Sequence, residues 1–178
     1  ENKKIFLSCG GVKLTEIYYA LKILLKSKKK VILLHGFQSY PTKIEDTDLD
    51  RLNKLKLEFG DKVEYGFQDH ISGGDNYNLY VCLIALGFGA KYIEKHITFN
   101  RKKKGIDYYS SLEPKELSRF IKILKNSQQS ISNSKNDFSI KEYNYRKTTK
   151  KMLILKRQKK RGEYLKEEDV EYKRAETN

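Results

Sequence analysis

Two histidines and three carboxylates with spacing suited to chemistry lie in the middle of this 178-residue chain. His70 follows Asp69 just beyond the run Val63-Glu64-Tyr65-Gly66-Phe67. His96 closes the run that starts at Tyr92 and contains Glu94, and Asp107 comes eleven residues later. Neutral imidazoles suit Mn, Co, Zn and Fe, and two of them with water leave positions open for a substrate oxygen. Glu94 and Asp107 suit hydrogen bonds to sugar hydroxyls, or acid and base roles. The plainer alternative is a pair of buried, hydrogen-bonded histidines with carboxylates that balance lysines; Asp107 has Lys102, Lys103 and Lys104 nearby. What favours chemistry is the repetition, because each histidine ends a short apolar run beside a carboxylate.

The elements that must position these residues read as repeated βα units. Ile5–Ser8, Val31–His35, Val63–Phe67 and Tyr92–His96 are short apolar runs typical of buried parallel strands. Between and after them, apolar residues recur at helical spacing: Leu14 to Leu25, Leu49 to Phe59 ending at Gly60, Tyr77 to Phe88, and Leu117 to Leu124 after Pro114 at a helix start. Strand starts about thirty residues apart fit a βα repeat and a parallel sheet. The polar ends of all four strands then fall on one rim, where such folds place their sites. Ser8-Cys9-Gly10, His35 with Gln38 and Tyr40, Gln68-Asp69-His70, and Glu94 with His96 are those ends. His35 reads equally well as structural.

Length and a 38% hydrophobic content fit one domain, or one domain plus a tail. The net charge of +14 is spread along the whole chain, which reads as a solvated surface rather than a polyanion site. The basic run Arg146–Arg161 carries few aromatics, so nucleic acid is not an expected partner. Cys9 and Cys82 form no CxxC pair and read as free thiols of a reducing compartment. No apolar run reaches the ~20 residues that span a bilayer, and no signal-peptide layout opens the chain. A cytoplasmic location is the expectation. The start at Glu1 suggests part of something longer. Asp46–Asp50 lacks the glycine and glutamate of a calcium loop, and Gly87-Phe88-Gly89 precedes a strand, so it is no dinucleotide fingerprint. The polar stretch Ser127–Asn136 reads as a linker. The tail beyond it is too short for an independent core.

Taken together, Leu33-Leu34-His35, Ser39-Tyr40-Pro41-Thr42, Glu45-Asp46, Gly66-Phe67-Gln68-Asp69-His70, Ile93–Thr98, Gly105-Ile106-Asp107 and Ser111–Pro114 resemble, in order, motifs of the sialic acid synthases. The resemblance covers about residues 5–125. It implies an α/β fold: the C-terminal half, the last four βα units, of a TIM (β/α)8 barrel, with a short, incomplete tail domain. Residues 1–131 would be the partial barrel, 132–145 a linker, and 146–178 the start of an antifreeze-like (SAF) domain. The implied reaction condenses phosphoenolpyruvate with N-acetylmannosamine or a related 2-acetamido sugar, giving a nonulosonic acid and phosphate. His70 and His96 would bind a divalent metal, Mn²⁺ first, with Mg²⁺ or Co²⁺ as alternatives. Glu94 would act with them in catalysis and, with Asp107 and Tyr40, contact the sugar. Ser8 and Gln38 would face phosphoenolpyruvate. The complete enzyme would be a homodimer.

The sequence departs from the family pattern in places. Gln68 replaces a usual serine, Gln38 a Ser or Asn, Gly36 a cysteine and Ile106 a proline. The segment around Ser72–Tyr77 is longer than usual. The first four strands of the barrel have no counterpart here. Four strands cannot close an eight-stranded barrel, so the first and fourth should be open edges. The expectation is a chain inactive alone unless paired with another half; the alternative is a non-catalytic remnant or a sugar- or metal-binding half-barrel module.

Overall fold

Short apolar runs alternating with amphipathic stretches form four βα units in this computed structural model, which describes residues 3–131 and 138–174. In order they are β1 (Lys4–Ser8), α1 (Leu14–Leu24), β2 (Lys30–His35), α2 (Asp50–Phe59), β3 (Glu64–Asp69), α3 (Tyr77–Gly87), β4 (Tyr92–Lys95) and α4 (Pro114–Ile131). The strands pair in parallel, in sequence order. β2 and β3 are buried along nearly their whole length, as continuous apolar runs between two neighbours should be. β1 and β4 are more exposed. Each has only one strand partner among the described residues, which makes them the expected open edges.

Strand alternation divides the side chains between two layers. Val31, Leu33, Tyr65 and Phe67 face the helices and join Ile17, Leu21, Leu52, Leu55, Val81 and Ala85 in the main core. Ile32, Leu34, Gly66, Gln68, Tyr92 and Glu94 occupy the other face by the same alternation and register. That face is curled. The rings of Phe6 on β1 and Tyr92 on β4 meet at 5.4 Å, although their strands lie at opposite edges of the sheet.

Two expectations shift at element ends. β3 runs to Asp69, two residues beyond Phe67, because Gln68 and Asp69 still find ladder partners in Glu94 and Lys95. The polar stretch from Ser127 is not a linker at its start, since α4 continues to Ile131. The expected linker 132–145 is corrected too. Residues 132–137 lie outside the described residues, but Ile140–Thr149 is a helix, α5. Ser139 and Glu142 cap it reciprocally, each side chain bonding the other's backbone N–H.

The chain divides into two units, 1–132 and 133–178. In the second, β5 (Lys151–Leu155) pairs antiparallel with β6 (Val170–Arg174). Asp169 is its polar centre, buried and bonded by Arg157, Lys159 and the Lys166 N–H. Lys159 first, then that N–H, holds its carboxyl down at about 2. No helix among the described residues is long and apolar enough to cross a membrane.

Candidate functional site

Parallel pairing places the C-terminal ends of β3 and β4 side by side, so Gln68 lies opposite Glu94 and Asp69 opposite Lys95. His70 and His96 each come next, just past the ladder, and their rings stand 5.3 Å apart. Tyr40, from the loop after β2, closes the group: its ring lies 4.4 Å from His70 and 5.5 Å from His96. The Tyr40–Pro41 peptide is cis. Thr42 N–H donates to the His70 carbonyl at 2.9 Å, which ties this loop to the histidine.

His70 is held from several sides. Its Nδ1 is 2.7 Å from the Phe37 carbonyl. A carbonyl only accepts, so Nδ1 carries the proton and Nε2 keeps a free lone pair. Burial pushes the His70 pKa down, against the pull of that carbonyl. That lowering favours the neutral ring, the form a metal binds. The hydroxyl of Ser110 also donates to the His70 carbonyl, at 2.6 Å.

His96 is half-exposed, with its carbonyl accepting from Leu112 N–H at 2.9 Å. The chain returns from Leu112 alongside Ile97, so the intervening loop hangs over the rim and delivers Asp107. Asp107 Oδ2 lies 3.9 Å from His96 Nδ1, too long for a hydrogen bond. Partial burial, then the charges of Asp107 and Glu94, raises the Tyr40 phenol pKa. Tyr40 Oη donates to Gln38 Oε1 at 2.9 Å.

A second chain of bonds crosses the curled face. Ser8 Oγ donates to Gln68 Oε1, and Gln68 Nε2 donates to Glu94 Oε1, both at 2.8 Å. The seven predicted residues thus fall into two groups: Ser8 with Glu94 through Gln68, and Gln38, Tyr40, His70, His96 and Asp107 through ring contacts, the Tyr40–Gln38 hydrogen bond and the approach of Asp107 to His96. Gln68 is the member sequence reasoning did not assign. Its position two residues before His70 on a strand was the available signal. Gly36 lies hard against Gln68: a Cβ there would stand 2.7 Å from both the Gln68 Cβ and the Gln68 carbonyl oxygen.

His35 belongs elsewhere. It is buried on the helix side of β2, and Nε2 lies 2.8 Å from the Thr47 carbonyl. Burial lowers its pKa. Its Nδ1 is buried without a hydrogen-bond partner among the described residues, and it stands apart from the His70–His96 group. Among the described residues no cluster of three or more His, Cys, Asp or Glu is arranged to hold a metal. Two imidazoles fall short of such a cluster, so a metal held by them would need its other positions filled by substrate and water.

Residues 1–136 match the NeuB family, and the chain belongs to it. It is 32% identical over 176 residues to the N,N'-diacetyllegionaminic acid synthase of Campylobacter jejuni, covering 97% of this chain and 51% of that enzyme. It is 28% identical to a pseudaminic acid synthase of the same species, covering 96% and 48%. The crystal structure of N-acetylneuraminic acid synthetase from Leptospira borgpetersenii, in complex with citrate, superposes with a TM-score of 0.71 at 31% identity, covering 83% of this chain and 50% of that one. The chain thus spans about half the length of these relatives, and its parallel half-barrel sheet is similar to theirs.

Proposed function

We propose that this chain is the metal- and sugar-facing half of a phosphoenolpyruvate-dependent nonulosonic acid synthase. The observation that carries the reading is the convergence of Tyr40, His70 and His96 with Glu94 and Asp107 on one rim, in a chain of this family. The four βα units are then the last four of an eight-stranded barrel. The exposed Phe6 on β1 and the apolar groove beside β4, lined by Ile97, Phe99 and Leu117, suit packing against the other four. The unit beyond residue 133 is the start of an antifreeze-like domain, and the complete enzyme is a cytoplasmic homodimer.

In the condensation, C3 of phosphoenolpyruvate bonds to the aldehyde carbon of a 2-acetamido sugar, water adds at C2, and phosphate leaves. His70, through Nε2, and His96 would hold a divalent metal, Mn²⁺ foremost, which when bound would supply Lewis-acid polarisation of the aldehyde. Glu94 keeps Oε2 for the substrate, because Gln68 engages only Oε1. It is the residue placed to hold or move the proton at the aldehyde oxygen. Asp107 and Tyr40 orient the sugar hydroxyls, and Ser8 with Gln38 faces phosphoenolpyruvate.

The test is phosphate release from phosphoenolpyruvate with N-acetylmannosamine and Mn²⁺. The chain alone should give none, and a co-expressed half-barrel of the first four βα units should restore it. Full turnover by the 178-residue chain alone would refute the half-site reading. Sugar and Mn²⁺ binding without phosphate release in the complemented sample would favour a binding module.

A further inference from the structure

We propose that Asp69 and Lys95 are positioning residues whose buried ion pair fixes His70 relative to His96. Neither takes part in the site described above, and alternation turns both toward the helices. Lys95 Nζ lies 2.6 Å from Asp69 Oδ2, and their side chains are 4% and 0% exposed. They are also register partners, the last rung of the β3–β4 ladder. The next residue on each strand is a site histidine.

The pair does more than close the ladder. Asp69 Oδ1 accepts from Ile71 N–H at 2.9 Å, and Lys95 Nζ donates to the Ile71 carbonyl at 2.9 Å. Both groups therefore grip the residue after His70, while Asp69 itself is the residue before it. The His70 backbone is clamped on both sides by a contact that originates on β4. Asp69 is further enclosed by the buried Cys82 of α3, whose thiol is pushed well up by burial and then by the Asp69 charge.

Energetics argue that the pair serves geometry. Two charges taken out of water are weak stabilisers, and well-packed apolar residues often do as well. Buried polar contacts are instead suited to specifying one register. β4 has only four residues, so few ladder bonds resist slippage. A slip of one residue would turn Glu94 and His96 away from the curled face. An ion pair between the last two partners penalises that slip, because it would leave both charges buried and unpaired.

For its ligand readout the inference rests on the metal reading of His70 and His96. The test uses the full chain with Asp69→Asn and Lys95→Met together, which removes both charges but keeps an oxygen for Ile71 N–H. Mn²⁺ affinity by calorimetry should weaken at least about tenfold, as for outer-shell partners of metal ligands. Thermal melting should stay within about 5 °C. Lys95→Met alone should melt far lower, because it strands the Asp69 carboxylate. Should the double variant not fold, Lys95→Arg, which keeps the charge and alters its reach, takes its place and should lose Mn²⁺ affinity several-fold. Wild-type affinity in the folded variant would overturn the proposal. If the wild-type chain itself binds no Mn²⁺, the metal reading falls, and the imidazole ¹H–¹⁵N resonances of His70 and His96 decide. Shifted signals in the variant sustain the positioning role, and unchanged ones overturn it.

Discussion

At the N-terminal rim of the sheet, Glu64 is heavily engaged by donors. Lys30, Lys91 and the Tyr92 hydroxyl reach it at 3.1, 2.9 and 2.7 Å. Lys91 first, then Tyr92, holds its carboxyl down at about 2. At the C-terminal rim, Glu94 takes one amide hydrogen from Gln68, and Asp107 stands 3.9 Å from a half-exposed imidazole. The two rims use the same kind of side chain. Three donors fill most of the roughly four acceptor positions on the carboxylate of the first, which leaves it little to offer a ligand. The carboxylates of the second keep more lone pairs free, beside the His70 imidazole, which burial biases toward its neutral form. Function here is read from which polar groups the fold leaves incompletely partnered.

The sharpest way to break this contrast is to remove a histidine. His70→Ala or His96→Ala should weaken Mn²⁺ binding on the order of 100-fold or more by calorimetry, since a two-ligand site cannot lose one. Glu64→Gln should leave it unchanged. Equal affinity in His70→Ala would take His70 out of the metal site. Gln68→Ser should have a smaller effect. It cuts the bond that orients Glu94, a contact to a charged group worth about 1.5 kcal/mol, so kcat of the complemented enzyme should fall about tenfold. Mn²⁺ affinity should stay within about twofold. A wild-type kcat would show that Glu94 needs no orienting partner.

The smallest effect belongs to the N-terminal rim. Glu64 has a folded pKa near 2 against an ordinary 4.5. Its contribution is therefore present above pH 4.5 and drains away as pH falls from 4.5 toward 2. Lys30 and Lys91 are largely exposed, so solvent screening limits the gain to about 1 kcal/mol or less. Urea unfolding across pH should show Glu64→Gln losing about that much at pH 7 and losing less than wild type between 4.5 and 2. An unchanged acid limb would mean the three donors contribute nothing measurable.

Much of the fold was legible because βα periodicity is local. Leu52, Leu55 and Phe59 are buried on one face of α2 as their spacing requires, and Val31–Leu34 is buried between two strands. The polar segment after Leu124 misled, because composition alone does not end a helix and nothing in Ser127–Ile131 forbids one. The α5 start was readable from Ser139 and Glu142 three residues apart, a cap that basic composition obscured. In the site, the strand-end rule and the family motifs were enough to single out Ser8, Gln38, Tyr40, His70, Glu94, His96 and Asp107. They did not reveal that Gln68 joins Ser8 to Glu94, or that Ser110 and the Phe37 carbonyl hold His70.

Residue types and their spacing determined that four βα units form and that both histidines stand at strand ends. Those are consequences of local periodicity, written along the chain. Tertiary structure alone decided the partnerships. Ser8 lies sixty residues from Gln68, and Asp69 twenty-six from Lys95, yet each pair lies within hydrogen-bond distance. Which of them meet depends on register and on the face each side chain takes. Adjacent strands are about 4.8 Å apart, and a shift of one residue reverses every face. The same register left Glu94 with a free oxygen and enclosed Asp69 with Lys95, although both are carboxylates at the end of a strand.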